Sequence, residues 1–361
     1  MDHVAIDLGG KESQICIRRS DGAILREARV STSSLPKVLS KLSPSRVVLE
    51  TCGEAFWVAD AAKEHGHEVR VVPASLVKAL GVGSHGVKSD QRDARNLSEA
   101  SCRMELPSVH IPSEASREQR RLLGMRDALV KARTSLCNQV QGWLRTKGWS
   151  TQKSAPESLP KRLREKADKR KTPLPGYVER ELRMIEQLTI EVKGADKEIT
   201  AAAKADATCR RLMTVPGIGP HNALRFFATL DDRARFPGAH QVESYLGLTP
   251  KEHSSSEKQH RGRITKAGPA PMRRLLGQAA WSAWRCRPRD PMVLWAKQVA
   301  SRRGTMMGIT ALSRKLAGIM FAIWRDGTTY DAEKGAATND TAAATRTLEE
   351  GLKLLTAQRK K

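Results

Sequence analysis

The sequence predicts an α/β domain at the N-terminus, then a helical middle segment and a mainly helical C-terminal domain. In the first 110 residues, short apolar runs alternate with helical stretches, as in mixed α/β domains. Further along, apolar residues recur with a helical period. A length of 361 residues suits two or three domains. We assign domains 1–110, 111–206 and 207–330, with a polar linker at 150–176 and a tail at 331–361 that is expected to be partly disordered.

The first domain is predicted to begin with three consecutive strands, after which helices alternate with two more strands. Asp21-Gly22 supplies the turn between the second and third strands, because Asp-Gly tolerates positive φ. A meander of three strands followed by alternating helices and strands is the order of an RNase H-like (RuvC-like) fold. The predicted strands are 4–6, 14–18, 23–30, 46–50 and 68–72, and the helices lie near 34–42 and 54–65.

Four acidic residues in this domain have settings that suit a metal site. Asp7 ends the first strand and Glu50 ends the fourth, where a carboxylate is costly unless something pairs with it. Asp90 and Asp93 are three residues apart, so they share one face of a predicted helix. Hard divalent ions such as Mg²⁺ take carboxylate oxygens as ligands. Two such ions about 4 Å apart are the usual machinery for cutting or joining phosphodiesters.

The net charge of +24 is distributed unevenly along the chain. Residues 1–110 carry 15 Lys and Arg against 14 Asp and Glu, whereas residues 111–330 carry 42 against 20. The acidic residues therefore belong to a nearly neutral segment, and the excess positive charge lies after it. This asymmetry favours a polyanionic partner, most simply a nucleic acid.

The composition argues against several other classes of protein. The six cysteines form no C-x-x-C pair and the nine histidines show no zinc-ligand spacing, which disfavours zinc sites and disulfide scaffolds. We expect no cleavable leader and no membrane span, because no basic-then-apolar start and no apolar run near 18 residues is evident. A reducing, cytoplasmic setting fits best.

The middle segment is predicted to contain two amphipathic helices. Apolar residues recur every seven positions at 115–147, and a similar pattern covers 178–204. The residues between them are rich in Ser, Pro, Lys and Arg. The pattern indicates an antiparallel helical hairpin or coiled coil, and it leaves open whether the helices form an ordinary linker or a dimerising coil.

Residues 211–228 resemble a helix-hairpin-helix element. Its turn, Val215-Pro216-Gly217-Ile218-Gly219, would leave backbone N–H groups at a helix N-terminus. Such groups bind phosphate without reading base sequence. A tight turn between core helices would have the same pattern, so both interpretations remain open.

A polar stretch at 251–263 carries three consecutive serines, Ser254, Ser255 and Ser256, among histidines and cations. Composition alone favours a flexible, solvent-exposed loop. A serine attacks phosphorus only when its proton is removed or its oxygen lies beside a metal or strong cations. His253, Lys258 and the acidic domain could provide that setting, but the residues by themselves do not show it.

The chain resembles the DEDD transposases of the bridge-RNA-guided insertion sequences, the one-ten family with its eleven-eleven subgroup. The resemblance extends from about residue 2 to residue 330. It rests on Ile6-Asp7-Leu8-Gly9, Leu49-Glu50-Thr51-Cys52-Gly53, Lys88-Ser89-Asp90-Gln91-Arg92-Asp93-Ala94, Val215-Pro216-Gly217-Ile218-Gly219, Gly247-Leu248-Thr249-Pro250 and Gly262-Arg263-Ile264-Thr265-Lys266-Ala267-Gly268.

The resemblance implies that Asp7, Glu50, Asp90 and Asp93 bind Mg²⁺ and that a C-terminal serine attacks DNA and becomes covalently linked to it. The family motif usually has Ser followed by Gly, whereas Ser255 is followed by Ser256-Glu257. The motif aligns on Ser255 but leaves its neighbours as alternatives.

The resemblance also implies particular partners: donor and target double-stranded DNA, a structured guide RNA encoded by the element, and other copies of the chain in a dimer or tetramer. The setting would be the bacterial cytoplasm, with the protein associated with the nucleoid. The residues expected to contact nucleic acid are Gly217, Gly219, Lys258, Arg261, Arg263 and Lys266.

Two other functions fit the same residues. A metal-dependent nuclease of the Holliday-junction-resolving type would use the four acids with water as the nucleophile. A non-catalytic nucleic-acid-binding protein would use the acids only to organise a loop. A covalent protein–DNA adduct separates a recombinase from a nuclease, and metal-dependent activity of any kind excludes the binding protein.

Overall fold

The structure, a computed structural model, describes residues 1–79, 89–149, 155–255 and 258–333, and omits the side chains of residues 78–79, 253–255 and 258–261. The chain divides into two compact units, Met1–Ser113 and Glu114–Lys361. The first unit contains a mixed sheet with helices and the second is mainly helical. The predicted combination of an α/β N-terminal part and a helical C-terminal part is therefore confirmed.

The first unit is built on one five-stranded sheet with the order β3-β2-β1-β4-β5. The first three strands are antiparallel neighbours, and β4 and β5 run parallel to β1. Each strand lies within two residues of its predicted position. The strands are β1 (His3–Asp7), β2 (Glu12–Arg18), β3 (Ile24–Ser31), β4 (Arg46–Glu50) and β5 (Glu68–Val72).

Helices cover both faces of this sheet. On one face, Ile6 and Leu49 pack in a core with α1 (Leu35–Leu39) and α2 (Ala55–Glu64). On the other face, Ala5 and Val48 pack in a second core to which α3 (Ala74–Ala79) and α4 (Asp90–Arg103) contribute. Because both faces are buried, β1 and β4 are continuous apolar runs rather than alternating ones.

The second unit begins with two long antiparallel helices, α5 (Glu114–Thr146) and α7 (Gly176–Ala205). Leu144 near the end of α5 packs in one core with Leu182 near the start of α7. At the opposite end, Arg126 Nε of α5 donates to Asp196 Oδ1 of α7 over 2.8 Å. This pairing gives a helical hairpin within one chain.

The connector between these helices is more ordered than its composition indicates. A further helix, α6 (Leu159–Lys169), lies in the predicted polar linker. Leu159, Leu163 and Ala167 recur every four residues and are buried against the hairpin. The high density of Lys and Arg hides this apolar stripe in a composition-based prediction, but such side chains can remain in solvent on the opposite face.

The remainder of the second unit packs around one large core. The predicted polar loop at 251–263 is, as far as the structure describes it, a two-stranded antiparallel hairpin. Strand pairing relies on backbone groups and does not require apolar side chains. The elements are α8 (Ala207–Leu212), α9 (Pro220–Leu230), α10 (Ala239–Tyr245), β6 (Pro250–Ser255), β7 (Lys258–Ile264), α11 (Ala270–Cys286), α12 (Pro291–Arg303) and α13 (Thr305–Asp326). Residues 334–361, most of the predicted tail, lie outside the described residues.

One described helix, α13, is long and apolar enough to cross a membrane by length and composition alone. The expectation that no such apolar run exists was therefore wrong for this helix. Leu312, Leu316 and Met320 of α13 are fully buried in the core of the second unit. Core helices pass the same test, so α13 is weak evidence for a membrane span.

Candidate active site

Asp7 and Glu50 end two neighbouring strands at the same edge of the sheet. β1 and β4 are parallel, and Ile6 is paired with Leu49. The next residue of each strand is acidic, and adjacent strands lie about 4.8 Å apart. By the alternation of side chains, both acids belong to the face that contains Ala5, and both are half-buried. The structure therefore places these two carboxylates side by side.

Helix α4 runs antiparallel to β1. At its C-terminal end, Ser101 Oγ shares a hydrogen bond of 2.7 Å with His3 Nδ1 at the start of β1. Nearer its middle, Ser98 Oγ donates over 3.3 Å to the sulfur of Cys16, which pairs with Ala5 of β1. The N-terminus of α4 therefore lies towards the edge at which β1 and β4 end.

The position of Asp93 along the direction of β1 follows from these contacts. Asp93 precedes Ser101 by eight residues, which is about 12 Å along a helix. Asp7 follows His3 by four residues, which is about 13 Å along a strand. Because Ser101 and His3 are in contact, Asp93 lies level with Asp7. Asp90 lies one turn earlier in α4 and is exposed.

Asp93 carries a polar atom without a partner. Its Oδ1 is buried and accepts no hydrogen bond from the residues that the structure describes, an arrangement that costs free energy unless a ligand compensates. The helix start itself is capped, since Ser89 Oγ accepts from the backbone N–H of Arg92 over 3.4 Å. Acids in the first turn are also favoured by the helix dipole. A carboxylate oxygen in this setting is chemically suited to a cationic ligand.

Within the described residues, no three His, Cys, Asp or Glu side chains lie close enough together to hold a metal ion. Asp7, Glu50 and Asp93 therefore share this edge of the sheet without converging on one point. Their donor type suits a hard divalent ion. Together with the unsatisfied oxygen of Asp93, the chemistry of this set fits such an ion.

In the second unit, the predicted helix-hairpin-helix turn joins α8 to α9. Gly217 has φ +84°, and an added Cβ would lie 2.3 Å from the carbonyl oxygen of Ala279. Gly219 is the N-cap of α9, and an added Cβ there would meet no atom within 4 Å. A cleft of about 770 Å³ lies beside this turn. Its polar lining includes Thr214, Asn222, Gln278, Ser282, Arg287 and Asp290.

The two glycines should respond differently to a methyl group. Gly217→Ala is expected to lower the free energy of unfolding by about 3 kcal/mol, since it combines a positive φ with a backbone clash. Gly219→Ala should change it by less than about 1 kcal/mol. Thermal unfolding of the two full-length variants checks this, and equal melting temperatures would contradict the close approach to Ala279.

The candidate serine lies at the tip of the β6–β7 hairpin. Ser255 is the last residue of β6 and is paired with Lys258, the first residue of β7, while Ser254 pairs with Gln259. Ser256 lies outside the described residues, as do the side chains of Ser255, Lys258 and Arg261. Of the other predicted nucleic-acid contacts, Arg263 and Lys266 are exposed.

Comparison with known proteins identifies the family. A family model of a DEDD transposase of the IS110 type matches residues 4–147, which contain all four acids. A second model, described as the transposase IS116/IS110/IS902 family, matches residues 209–292, which contain Ser255. The chain belongs to the IS116/IS110/IS902 family of transposases. As such it is a DNA transposase, and its DEDD type implies dependence on a divalent metal ion.

Full-length relatives agree with this family assignment. The chain is similar to a probable family 20 transposase of Pseudomonas aeruginosa, with 29% identity over 91% of this chain and 98% of the relative. It is also similar to the transposase for insertion sequence element IS1111A of Coxiella burnetii, with 29% identity over 91% of this chain and 90% of the relative. A third relative, the transposase for insertion sequence element IS1328 of Yersinia enterocolitica, is 27% identical over 91% of this chain and 98% of the relative.

The sequence reasoning missed the polar residues that dock α4 of this transposase onto its sheet. Ser98 and Ser101 belong to the buried face of α4, and Arg18 Nε donates to Ser98 Oγ over 3.1 Å. The available signal was a pair of serines three residues apart in a helical stripe with Ala94 and Leu97. Small residues there allow α4 to approach the sheet closely.

Proposed function

We propose that this transposase is an RNA-guided DNA recombinase in which Asp7, Glu50, Asp90 and Asp93 hold Mg²⁺ and Ser255 is the nucleophile. One observation carries the metal part of the proposal: the ends of two strands and the start of one helix bring acids to a single edge of the sheet, where Asp93 Oδ1 is buried with no hydrogen-bond partner in the described part of the chain. An RNase H-like fold for the first unit is part of the same proposal, supported by its strand order.

The four acids would have distinct tasks. Asp7 and Glu50, on rigid strands, would provide fixed oxygen ligands, and Asp93 would complete the set from the first turn of α4. Asp90, exposed one turn away, would contribute when DNA is bound. The bound ion would polarise the scissile phosphate and stabilise the charge that develops in the transition state.

Ser255 would attack the phosphorus of the scissile phosphodiester. A bond forms between Ser255 Oγ and phosphorus, and the bond between phosphorus and the leaving sugar oxygen breaks. The serine proton is removed by a base, and the leaving oxygen takes up a proton. The phosphoserine ester conserves the bond for rejoining, because a sugar hydroxyl of a second DNA can displace the serine.

The partners would be donor and target DNA together with a structured RNA that selects them by base pairing. Residues 111–330 carry a net charge of +22, suited to neutralising RNA and DNA backbones. Gly217, Gly219, Arg263 and Lys266 would lie among the backbone contacts. Several RNA and DNA strands held at once would require more than one copy of the chain, working on the bacterial nucleoid.

The guide function can be tested by supplying or changing the RNA. Recombination between donor and target plasmids is expected only when RNA transcribed from the element's flanking sequence is present. Altering the RNA segment that pairs with the target should redirect insertion to the complementary site. Sequencing of the junctions reports both outcomes. Equal recombination without RNA would remove the guide from the proposal while leaving the transposase intact.

A further inference from the structure

Glu27 of β3 accepts hydrogen bonds from two residues in the first two turns of α4. Its carboxylate accepts from both Nε and Nη2 of Arg95, the latter over 2.5 Å, and from Gln91 Nε2 over 3.1 Å. The hydrogen bonds from Arg95 hold the pKa of Glu27 below its usual value. The Glu27 side chain is 18% exposed and the Arg95 side chain 45% exposed, so the ion pair is shielded from solvent on the Glu27 side.

The position of Glu27 in the sheet explains why it reaches α4. Glu27 is paired with Cys16 of β2, and Cys16 is paired with Ala5 of β1. The three residues therefore form a row across the strands on the face that α4 covers. Ser98 of α4 contacts Cys16 in the middle of that row. Glu27 lies at the outer end of the row, beside α4.

The side of α4 that is hydrogen-bonded to Glu27 is opposite the side that carries Asp93. Successive helical residues are about 100° apart, so Gln91 and Arg95 lie on one flank and Asp93 lies about 180° away from them. The buried face between the two flanks, which includes Ala94 and Leu97, rests on the sheet. Because a helix turns as a rigid body, holding one flank fixes the angular position of the other.

The rest of α4 is held differently. Ser98 and Ser101 contact β2 and β1 in the C-terminal half of the helix. Over its first two turns, the Ser89 cap bonds the helix to its own N-cap, and Glu27 bonds it to the sheet. Without Glu27, the flank of α4 opposite Asp93 would lose its hydrogen bonds to the sheet, and apolar packing does not specify rotation as sharply.

We propose that Glu27 is a positioning residue of the metal site: it sets the rotation of α4 so that Asp93 meets Asp7 and Glu50. This inference rests on the proposed function of the acids. Glu27 itself does not touch the metal or the DNA. Hydrogen bonds made directly to metal ligands change metal affinity by about 10- to 100-fold when they are removed, and Glu27, which acts through the helix, is expected at the lower end of that range.

The test measures metal binding directly on the full-length chain, with Mn²⁺ as the probe and electron paramagnetic resonance as the readout. Glu27→Ala and the less disruptive Glu27→Gln are compared with wild type. The double variant Glu27→Arg with Arg95→Glu restores the pair with reversed charges. The control is Glu12→Ala. Glu12 forms a solvent-exposed ion pair with Arg29 between β2 and β3, and this pair does not involve α4.

The expected result is about tenfold weaker Mn²⁺ binding in Glu27→Ala, a smaller loss in Glu27→Gln, recovery in the double variant and no change in Glu12→Ala. Unchanged binding in both Glu27 variants would overturn the positioning role while leaving the acid site standing. Equal weakening in Glu12→Ala would overturn it too, because the cause would then be a loosened sheet. If wild type binds no Mn²⁺, the proposed acid site itself fails.

Discussion

Asp7→Asn is expected to lower DNA strand cleavage by about a thousandfold or more, with nucleic-acid binding nearly unchanged. The substitution removes an anionic ligand next to Glu50 at the end of β1, where the ion would stabilise the transition state. Affinity for the phosphate backbone of the nucleic acid should come from the second unit, because residues 1–110 carry a net charge of only +1. A cleavage assay and a filter-binding assay on the same preparation separate the two effects.

Asp93→Asn provides a stricter form of this test. Neutralising an acid that serves structure destabilises the protein, but Asp93 Oδ1 has no hydrogen bond to lose among the described residues. We therefore expect Asp93→Asn to abolish cleavage while its melting temperature, measured without metal, stays equal or rises, as for residues kept for function at a cost in stability. Glu105→Gln, at an exposed acid of the same unit, should leave cleavage unchanged. Normal cleavage by both Asp7→Asn and Asp93→Asn would rule out the acid site.

The sheet and the positions of two acids could be predicted because each depends on local sequence. The run at 46–50 is mainly apolar and matches a buried parallel strand, and the run at 68–72 is rich in valine, a β-branched residue that favours strands. A carboxylate at the end of such a run is conspicuous without knowledge of its neighbours. The adjacency of Asp7 and Glu50 then required only that their strands be neighbours, which is common for this order of elements.

The placement of Asp93 could not be predicted in the same way. It depends on how far α4 slides along β1, and that is set by contacts between residues far apart in the chain, such as His3 with Ser101 and Glu27 with Arg95. Nothing in the sequence near Asp93 encodes those distances. The β6–β7 hairpin and α6 were missed for a different reason: both are dominated by polar and charged residues, and their order depends on backbone pairing or on a narrow buried stripe.

Ser255→Ala is expected to abolish recombination and to remove any covalent protein–DNA adduct, while Mn²⁺ binding by the acids remains. A strand-transfer enzyme without an external energy source must conserve the broken bond, and a serine ester does so where a water-cleaved end cannot. Ser255 is the last paired residue of β6, at the tip of a hairpin that carries Lys258 directly across from it. The measurement is a denaturing gel of labelled donor DNA incubated with protein, Mg²⁺ and guide RNA, followed by protease treatment.

The neighbouring serines are the matched controls for this substitution. Ser254→Ala and Ser256→Ala keep a hydroxyl at position 255, so both should retain the protease-sensitive shifted band. Ser254 is the preceding residue of β6 and pairs with Gln259. A band that persists in Ser255→Ala and vanishes in one neighbour would move the nucleophile to that residue. If wild-type protein cuts DNA and no variant or trapping condition yields a band, water is the nucleophile and the transposase breaks strands by hydrolysis.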